Sequence, residues 1–202
     1  MRILFQGDSI TDGNRGRTED PNHLYGHGYV FNITGKLGAD YPQKFEVINR
    51  GVSGDICTRM LARWHNESVV FNPDITSIMI GVNDSTHGIA PKRYEDVFNM
   101  LLDDLPGSKF ILMEPFRYRN QQDDELWTRQ SELIAAYQQV VRKIAAERNA
   151  VFVPLAEVFE EAFQKAPREY WIWDGVHPTC AGHQLVSRAW LKAAEPLLFA
   201  KD

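Results

Sequence analysis

Cysteine is scarce in this sequence, with only Cys57 and Cys180 among 202 residues. Two thiols build no disulfide framework, and neither stands in a Cys-x-x-Cys pair or a Cys/His cluster. Both are expected to be buried small residues. Long apolar runs are missing too. None approaches the ~18 residues that a membrane span needs, and the apolar stretch after Met1 is too short for a signal-peptide core. A cytoplasmic protein with no membrane partner is expected. Basic excess is also absent: 22 Lys and Arg face 27 Asp and Glu, for a net charge of -5. A nucleic-acid footprint needs the opposite balance, so no nucleic-acid partner is expected. Histidines are few, and no pair of them has metal-ligand spacing at a strand end. What is present is an ordinary globular composition, 44% hydrophobic and 24% charged. The length suits one domain spanning residues 1–202 with a full core.

Short β-rich runs alternate with longer helical patterns. Residues 2–6, 45–49, 74–80, 109–114 and 151–154 read as five strands, several of them closed by glycine. Helical spacing covers 29–40, 58–71, 91–105, 125–149, 156–165 and 179–198. This alternation predicts a parallel sheet covered by helices on both faces. In such sheets ligands bind outside the carboxyl ends of the strands, so residues just after strands carry the most information.

Small and polar groups gather at those places. Gly7-Asp8-Ser9-Ile10 follows the first strand, Gly51-Val52-Ser53-Gly54-Asp55 the second, and Gly81-Val82-Asn83-Asp84 the third. A late loop carries Trp173-Asp174-Gly175-Val176-His177-Pro178. An acyl-transfer enzyme needs a nucleophile, a base, a group that orients the base and donors for the oxyanion. Ser9 can be the nucleophile, His177 the base and Asp174 the orienting carboxylate. The backbone N–H groups of Ser9 and Gly54 and the side-chain amide of Asn83 can hold the oxyanion.

Other assignments compete. The Asp-x-x-His spacing also occurs at Asp20/His23 and Asp84/His87. The first of these lies in a polar loop, and His87 is expected to be exposed. Gly51-Val52-Ser53-Gly54 approaches the Gly-x-Ser-x-Gly elbow, but Asp55 stands where its last glycine belongs. A metal-dependent phosphoesterase could draw on Asp8, Asp12, Asn83, Asp84 and His177, yet such sets usually hold more histidines. A non-catalytic sugar-binding protein is a further reading, since fold alone does not fix function.

Taken together, Gly7-Asp8-Ser9, Gly54, Gly81-x-Asn83-Asp84 and Asp174-x-x-His177 resemble the four blocks of the SGNH hydrolases, the GDSL esterase/lipase family. The blocks occur in order and span residues 7–177. The resemblance implies a flavodoxin-like three-layer α/β/α sandwich of about five parallel strands. It implies a Ser9, Asp174 and His177 triad, oxyanion donors at Ser9, Gly54 and Asn83, and no cofactor or metal. It also allows a homo-oligomer. Ile10 stands where the family motif has leucine, a swap of similar volume. More narrowly, these blocks with Gly28-Tyr29-Val30, Ala62-Arg63-Trp64, Ile111-Leu112-Met113-x-Pro115-Phe116 and Pro178-x-x-Ala181-Gly182-His183 resemble the intracellular acetyl xylan esterases of bacteria. That implies a small-molecule ester substrate, an acetylated xylo-oligosaccharide or related sugar. Short-chain acyl, lysophospholipid or thioester hydrolysis is the alternative within the family. Trp173, Tyr29 and Phe116 are candidate substrate-binding aromatics, with packing at the loop bases as the competing role for each.

Overall fold

The two central strands consist almost wholly of buried side chains. In β1 (Arg2–Gly7), Ile3, Leu4 and Phe5 are fully buried, and every residue of β3 (Ile75–Met79) is buried. A strand without inside-outside alternation must be covered on both faces, and the computed structural model, which describes residues 1–18, 20, 22–119 and 124–199, has that arrangement. Its five strands, with β2 (Glu46–Asn49), β4 (Lys109–Met113) and β5 (Val151–Val153), run parallel in the order β2-β1-β3-β4-β5. This is the flavodoxin-like order, within a three-layer α/β/α sandwich.

Successive side chains leave a strand on opposite faces. Ile111 and Met113 therefore join one core layer and Leu112 the other. The first layer packs Phe5, Ile75 and Val153 against α2 (Tyr29–Asp40), α7 (Leu155–Phe163) and α9 (Cys180–Leu198), with Trp190 of α9 at its centre. The second packs Ile78 and Ile80 against α3 (Cys57–Glu67), α5 (Pro91–Asp103) and α6 (Asp124–Glu147), through Trp64, Phe98 and Tyr137. The chain winds outward from β1 to β2, then crosses back to β3 on the other side. The crevice where the order reverses lies at the carboxyl ends of β1 and β3. Ser9 follows the first of these strands and Asn83 the second.

Three short helices lie at that end of the sheet or close to it in sequence: α1 (Ser9–Asp12), α4 (Val82–His87) and α8 (Arg168–Trp171). Segments of one or two turns are too brief for a periodic hydrophobic signal, and none was expected from the sequence. The helix expected over 58–71 ends at Glu67. Ser68 takes a non-helical conformation there, fully buried, with its hydroxyl accepting from Gln6 Nε2 at 2.6 Å. A short 3-10 turn, Val69–Phe71, follows. Cys57 is buried as expected, but Cys180 is exposed, because it opens α9 where that helix meets solvent. Among the described residues, no helix is long and apolar enough to cross a membrane.

Candidate active site

The turn after β1 is built around Asp8. Its carboxylate accepts from the Ile10 N–H at 3.0 Å and caps α1, which places Ser9 in the first turn. As the first residue of that helix, Ser9 has no intrahelical partner for its own N–H. Gly7 is required by crowding: a Cβ there would lie 2.2 Å from Thr11 Oγ1 and 2.3 Å from the Met79 carbonyl. The turn is thereby pressed against the end of β3.

The loop from Gly51 to Ile56 is held from three sides. Asp12 Oδ2 accepts from the Ser53 N–H at 3.0 Å. Asn83 Nδ2 donates to the Asp55 carbonyl at 2.9 Å, and Asp84 Oδ1 accepts from the Cys57 N–H at 3.0 Å. Gly54, at φ +77°, lies between the two anchored residues and has a conformation that favours glycine. An amide nitrogen carries two hydrogens, so Asn83 keeps one after serving Asp55.

The late loop folds back on itself. The Trp173 N–H donates to the His177 carbonyl at 3.2 Å, and Ile172 bridges Pro178. Within it, Asp174 Oδ1 accepts from the N–H groups of Val176 and His177 at 2.9 and 2.7 Å. Its other oxygen lies 2.6 Å from His177 Nδ1, and His177 Nε2 lies 2.9 Å from Ser9 Oγ. Burial raises the Asp174 carboxyl, but the His177 N–H, the His177 ring and the Val176 N–H outweigh burial and hold it below its ordinary value. The carboxylate is thus ionised and fixes His177 with Nδ1 protonated, leaving Nε2 as an acceptor facing the hydroxyl.

A cavity of about 260 Å³ opens over this line, bordered by Ser9, His177, Trp173, Ser53, His27 and His183. Trp173 is 64% exposed and stacks near His177, with ring centroids 6.5 Å apart. Tyr29 and Phe116, the other aromatic candidates, do not reach the cavity. Tyr29 is fully buried with its hydroxyl 2.9 Å from Thr11 Oγ1, and Phe116 packs on Phe159 in the core. Tyr29 opens α2 just past a loop and Phe116 lies in the loop after β4, where apolar area is worth more buried under the sheet's end than open to water.

Ser53, the rival nucleophile, meets the carboxylate of Asp12 through its N–H and has no imidazole partner among the described residues. Asp84 faces Cys57, whereas His87 meets the Asn83 carbonyl and Arg59, so these two do not pair. Asp20 and His23 stand 3.7 Å apart on an exposed loop. Among the described residues, no group of three or more His, Cys, Asp or Glu side chains could hold a metal ion.

Sequence reasoning passed over two residues of the site. His183 is buried, and its Nδ1 accepts from the Tyr29 N–H at 3.1 Å. Burial, then His27 and His177, push it down to about 4, so it stays neutral. Its signal was its place six residues after His177, one helical turn into α9. Burial holds the Arg117 guanidinium below its ordinary value, and the charge of Asp174 offsets that in part. Arg117 comes from the loop after β4, whose neighbour Tyr118 donates its N–H to the Gly175 carbonyl at 2.8 Å. Nothing in the local sequence marks that contact.

Comparison with known proteins identifies the family. Residues 5–185 match the GDSL-like lipase/acylhydrolase family. An acetylxylan esterase of Geobacillus stearothermophilus is 34% identical over 95% of this chain and 92% of its own length. Its crystal structure superposes with a TM-score of 0.85, covering 95% of this chain and 93% of that one. The same enzyme has been solved as catalytic mutants, one at a serine and one at an aspartate. A GDSL-like protein of Parabacteroides merdae, also 34% identical, superposes with a TM-score of 0.88 over 96% of this chain and 95% of that one. The chain belongs to the GDSL-like lipase/acylhydrolase family and is a carboxylic ester hydrolase.

Proposed function

We propose that this protein removes acetyl groups from xylo-oligosaccharides or related acetylated sugars in the cytoplasm, through an acyl-enzyme on Ser9 of one SGNH domain. The observation that carries the reading is the hydrogen-bonded line from Asp174 through His177 to Ser9, at 2.6 and 2.9 Å, beneath a cavity of about 260 Å³. Ser9 Oγ passes its proton to His177 Nε2 and attacks the ester carbonyl. The oxyanion is taken by the N–H groups of Ser9 and Gly54 and by the free hydrogen of Asn83 Nδ2. Each such donor is worth about 3 kcal/mol of barrier. His177 then protonates the leaving sugar alcohol, and water releases acetate by the same route. The exposed indole of Trp173 supplies a face on which a sugar ring can stack. The activity of the Geobacillus relative supports the sugar substrate.

Ser9→Ala is expected to abolish hydrolysis of p-nitrophenyl acetate while leaving the thermal transition in place. A variant that kept most of its activity would refute the nucleophile. Rates on acetylated xylobiose, on a p-nitrophenyl ester chain-length series and on acyl-CoA test the substrate. Preference for acetyl on sugar, with loss beyond about four carbons, is the expected outcome. Preference for long acyl chains or for the thioester would replace the sugar reading with the corresponding alternative.

A further inference from the structure

Among the described residues, Arg15 is a buried cation short of a counter-charge. Its side chain is 8% exposed, and its Nε donates to the Gly51 carbonyl at 3.0 Å. Among the described residues its one carboxylate within reach is Asp12, at 3.9 Å. Asp12 is already gripped by the fork of Arg17 at 3.2 and 3.0 Å. Two more arginines border the same space, and each has an acid of its own. Arg63 meets Asp55 at 2.8 and 2.7 Å, and Arg50 lies 3.5 Å from Glu67. Among the described residues, four guanidiniums thus share three carboxylates, and the surplus falls on the most buried of the four.

Buried charges are ordinarily paired, because removal from water is costly. Burial, then Arg17, pushes Arg15 down to about 10, which Asp12 only partly offsets. Arg15 therefore remains a cation at neutral pH. Beside it lies a cavity of about 510 Å³, walled by Arg15, Arg17, Arg50, Arg63, Glu67 and Tyr25. The loops after β1 and β2 separate this space from the Ser9 cavity, which Asn14 and Ser53 line from the other side.

We propose that this cavity is an oxyanion-binding site whose principal ligand is the guanidinium of Arg15, and that it takes a sugar carboxylate or a free phosphate. A planar guanidinium presents paired N–H donors that match a carboxylate or phosphate edge, and the bound anion supplies the missing fourth negative charge. A uronic acid carried on the same sugar chain as the ester would reach the site across the shared loops. That source rests on the sugar-ester reading above, whereas the anion site itself does not.

Isothermal titration calorimetry at low ionic strength, in a buffer free of oxyanions, tests the site with sodium glucuronate and, separately, inorganic phosphate. Wild type is expected to bind at one saturable site, and Arg15→Met to bind about tenfold or more weakly, as loss of a charge-assisted contact implies. Glu67→Gln removes a competing carboxylate and is expected to tighten binding several-fold, a gain that misfolding cannot produce. The proposal fails if neither anion saturates wild type, if Arg15→Met binds as wild type does, or if Glu67→Gln gives no gain. Tighter glucuronate than phosphate, with a lower KM for acetylated xylo-oligosaccharides bearing a uronic acid, identifies the substrate's own branch as the ligand. Phosphate as tight or tighter identifies a free anion. Calorimetry needs no turnover, so failure of the esterase reading would appear separately, as absence of sugar deacetylation.

Discussion

Asp8 precedes Ser9, the proposed nucleophile, and is almost wholly buried, with Asp84 and Asp55 close enough to add their charges. Burial raises its carboxyl to about 7, against the lowering effect of the Ile10 N–H and with smaller increases from the two neighbouring aspartates. The sign of the linkage follows. Below about pH 4 Asp8 is protonated in the folded and unfolded chains alike, and stability is unaffected. Between the unfolded value of 3.8 and about 7, the unfolded carboxylate ionises while the folded one stays protonated. The folded state therefore loses stability as pH rises through that window, and the loss is complete above it. Asp8→Asn retains an oxygen that can cap α1 and removes the titration. It is expected to melt higher than wild type at pH 8 and to lose that advantage as pH falls to 4. Thermal melts at five or six pH values check this, and a gain that persisted at pH 4 would contradict it.

At the scale of elements, α4 acts as a clamp. Asn83 and Asp84 are adjacent, yet both reach the same loop, one at the Asp55 carbonyl and the other at the Cys57 N–H. The Asp84 contact also caps the start of α3, which has no side-chain cap of its own from Ile56. Without it, the Cys57 N–H is a buried donor with no partner, at a cost of about 1–3 kcal/mol. Asp84→Ala is therefore expected to lower the melting temperature by several degrees. It should also lower kcat more than it raises KM, because the displaced loop carries Gly54, the proposed oxyanion donor. Asp84→Asn keeps an acceptor and should recover most of both. Steady-state kinetics with melts of the two variants separate positioning from bulk stability: if Asp84→Ala melted lower with kcat unchanged, the clamp would be structural alone.

For the molecule as a whole, what could be read in advance divides by range. The parallel sheet was legible because short β-rich runs alternate with long helices that repeat Val30, Ile33 and Leu37, or Ile134, Tyr137 and Val141, at core spacing. Ser9, Asn83, Asp174 and His177 were legible because each follows a strand or sits in a distinctive late loop. Ser9 and Asn83 come to the same end of the sheet because β1 and β3 are neighbours at the switch point. The hold of Asp12 on the Ser53 N–H, the nearness of Arg117 to Asp174 and the surplus charge on Arg15 were not legible. Each joins residues far apart in the chain through a single side chain, and no periodicity encodes that. Tyr29 and Phe116 misled because aromatic side chains beside loops look the same in sequence whether they face a ligand or the core.

The two core layers make a final prediction through their tryptophans. Trp190 and Trp64 are both buried to within 1% of their surface, on opposite faces of one sheet. The Trp190 indole N–H donates to Ser77 Oγ at 2.9 Å, whereas the buried Trp64 Nε1 finds no hydrogen-bond partner among the described residues. Replacing either with Phe removes similar volume, but the polar consequences differ. Trp190→Phe breaks a bond and strips a buried hydroxyl of its donor, adding about 1–3 kcal/mol to the packing loss. Trp64→Phe removes a donor that had no bond to lose, so part of its packing loss is returned. Urea denaturation should therefore find Trp190→Phe the less stable of the two by at least about 1 kcal/mol. The layers share no contact between these side chains, so the double variant should show additive losses within about 0.5 kcal/mol. It should also unfold in a single transition, since both layers rest on the same five strands. Two separated transitions would mean that the sheet does not couple its faces, and equal losses at the two positions would mean that the Ser77 bond contributes nothing.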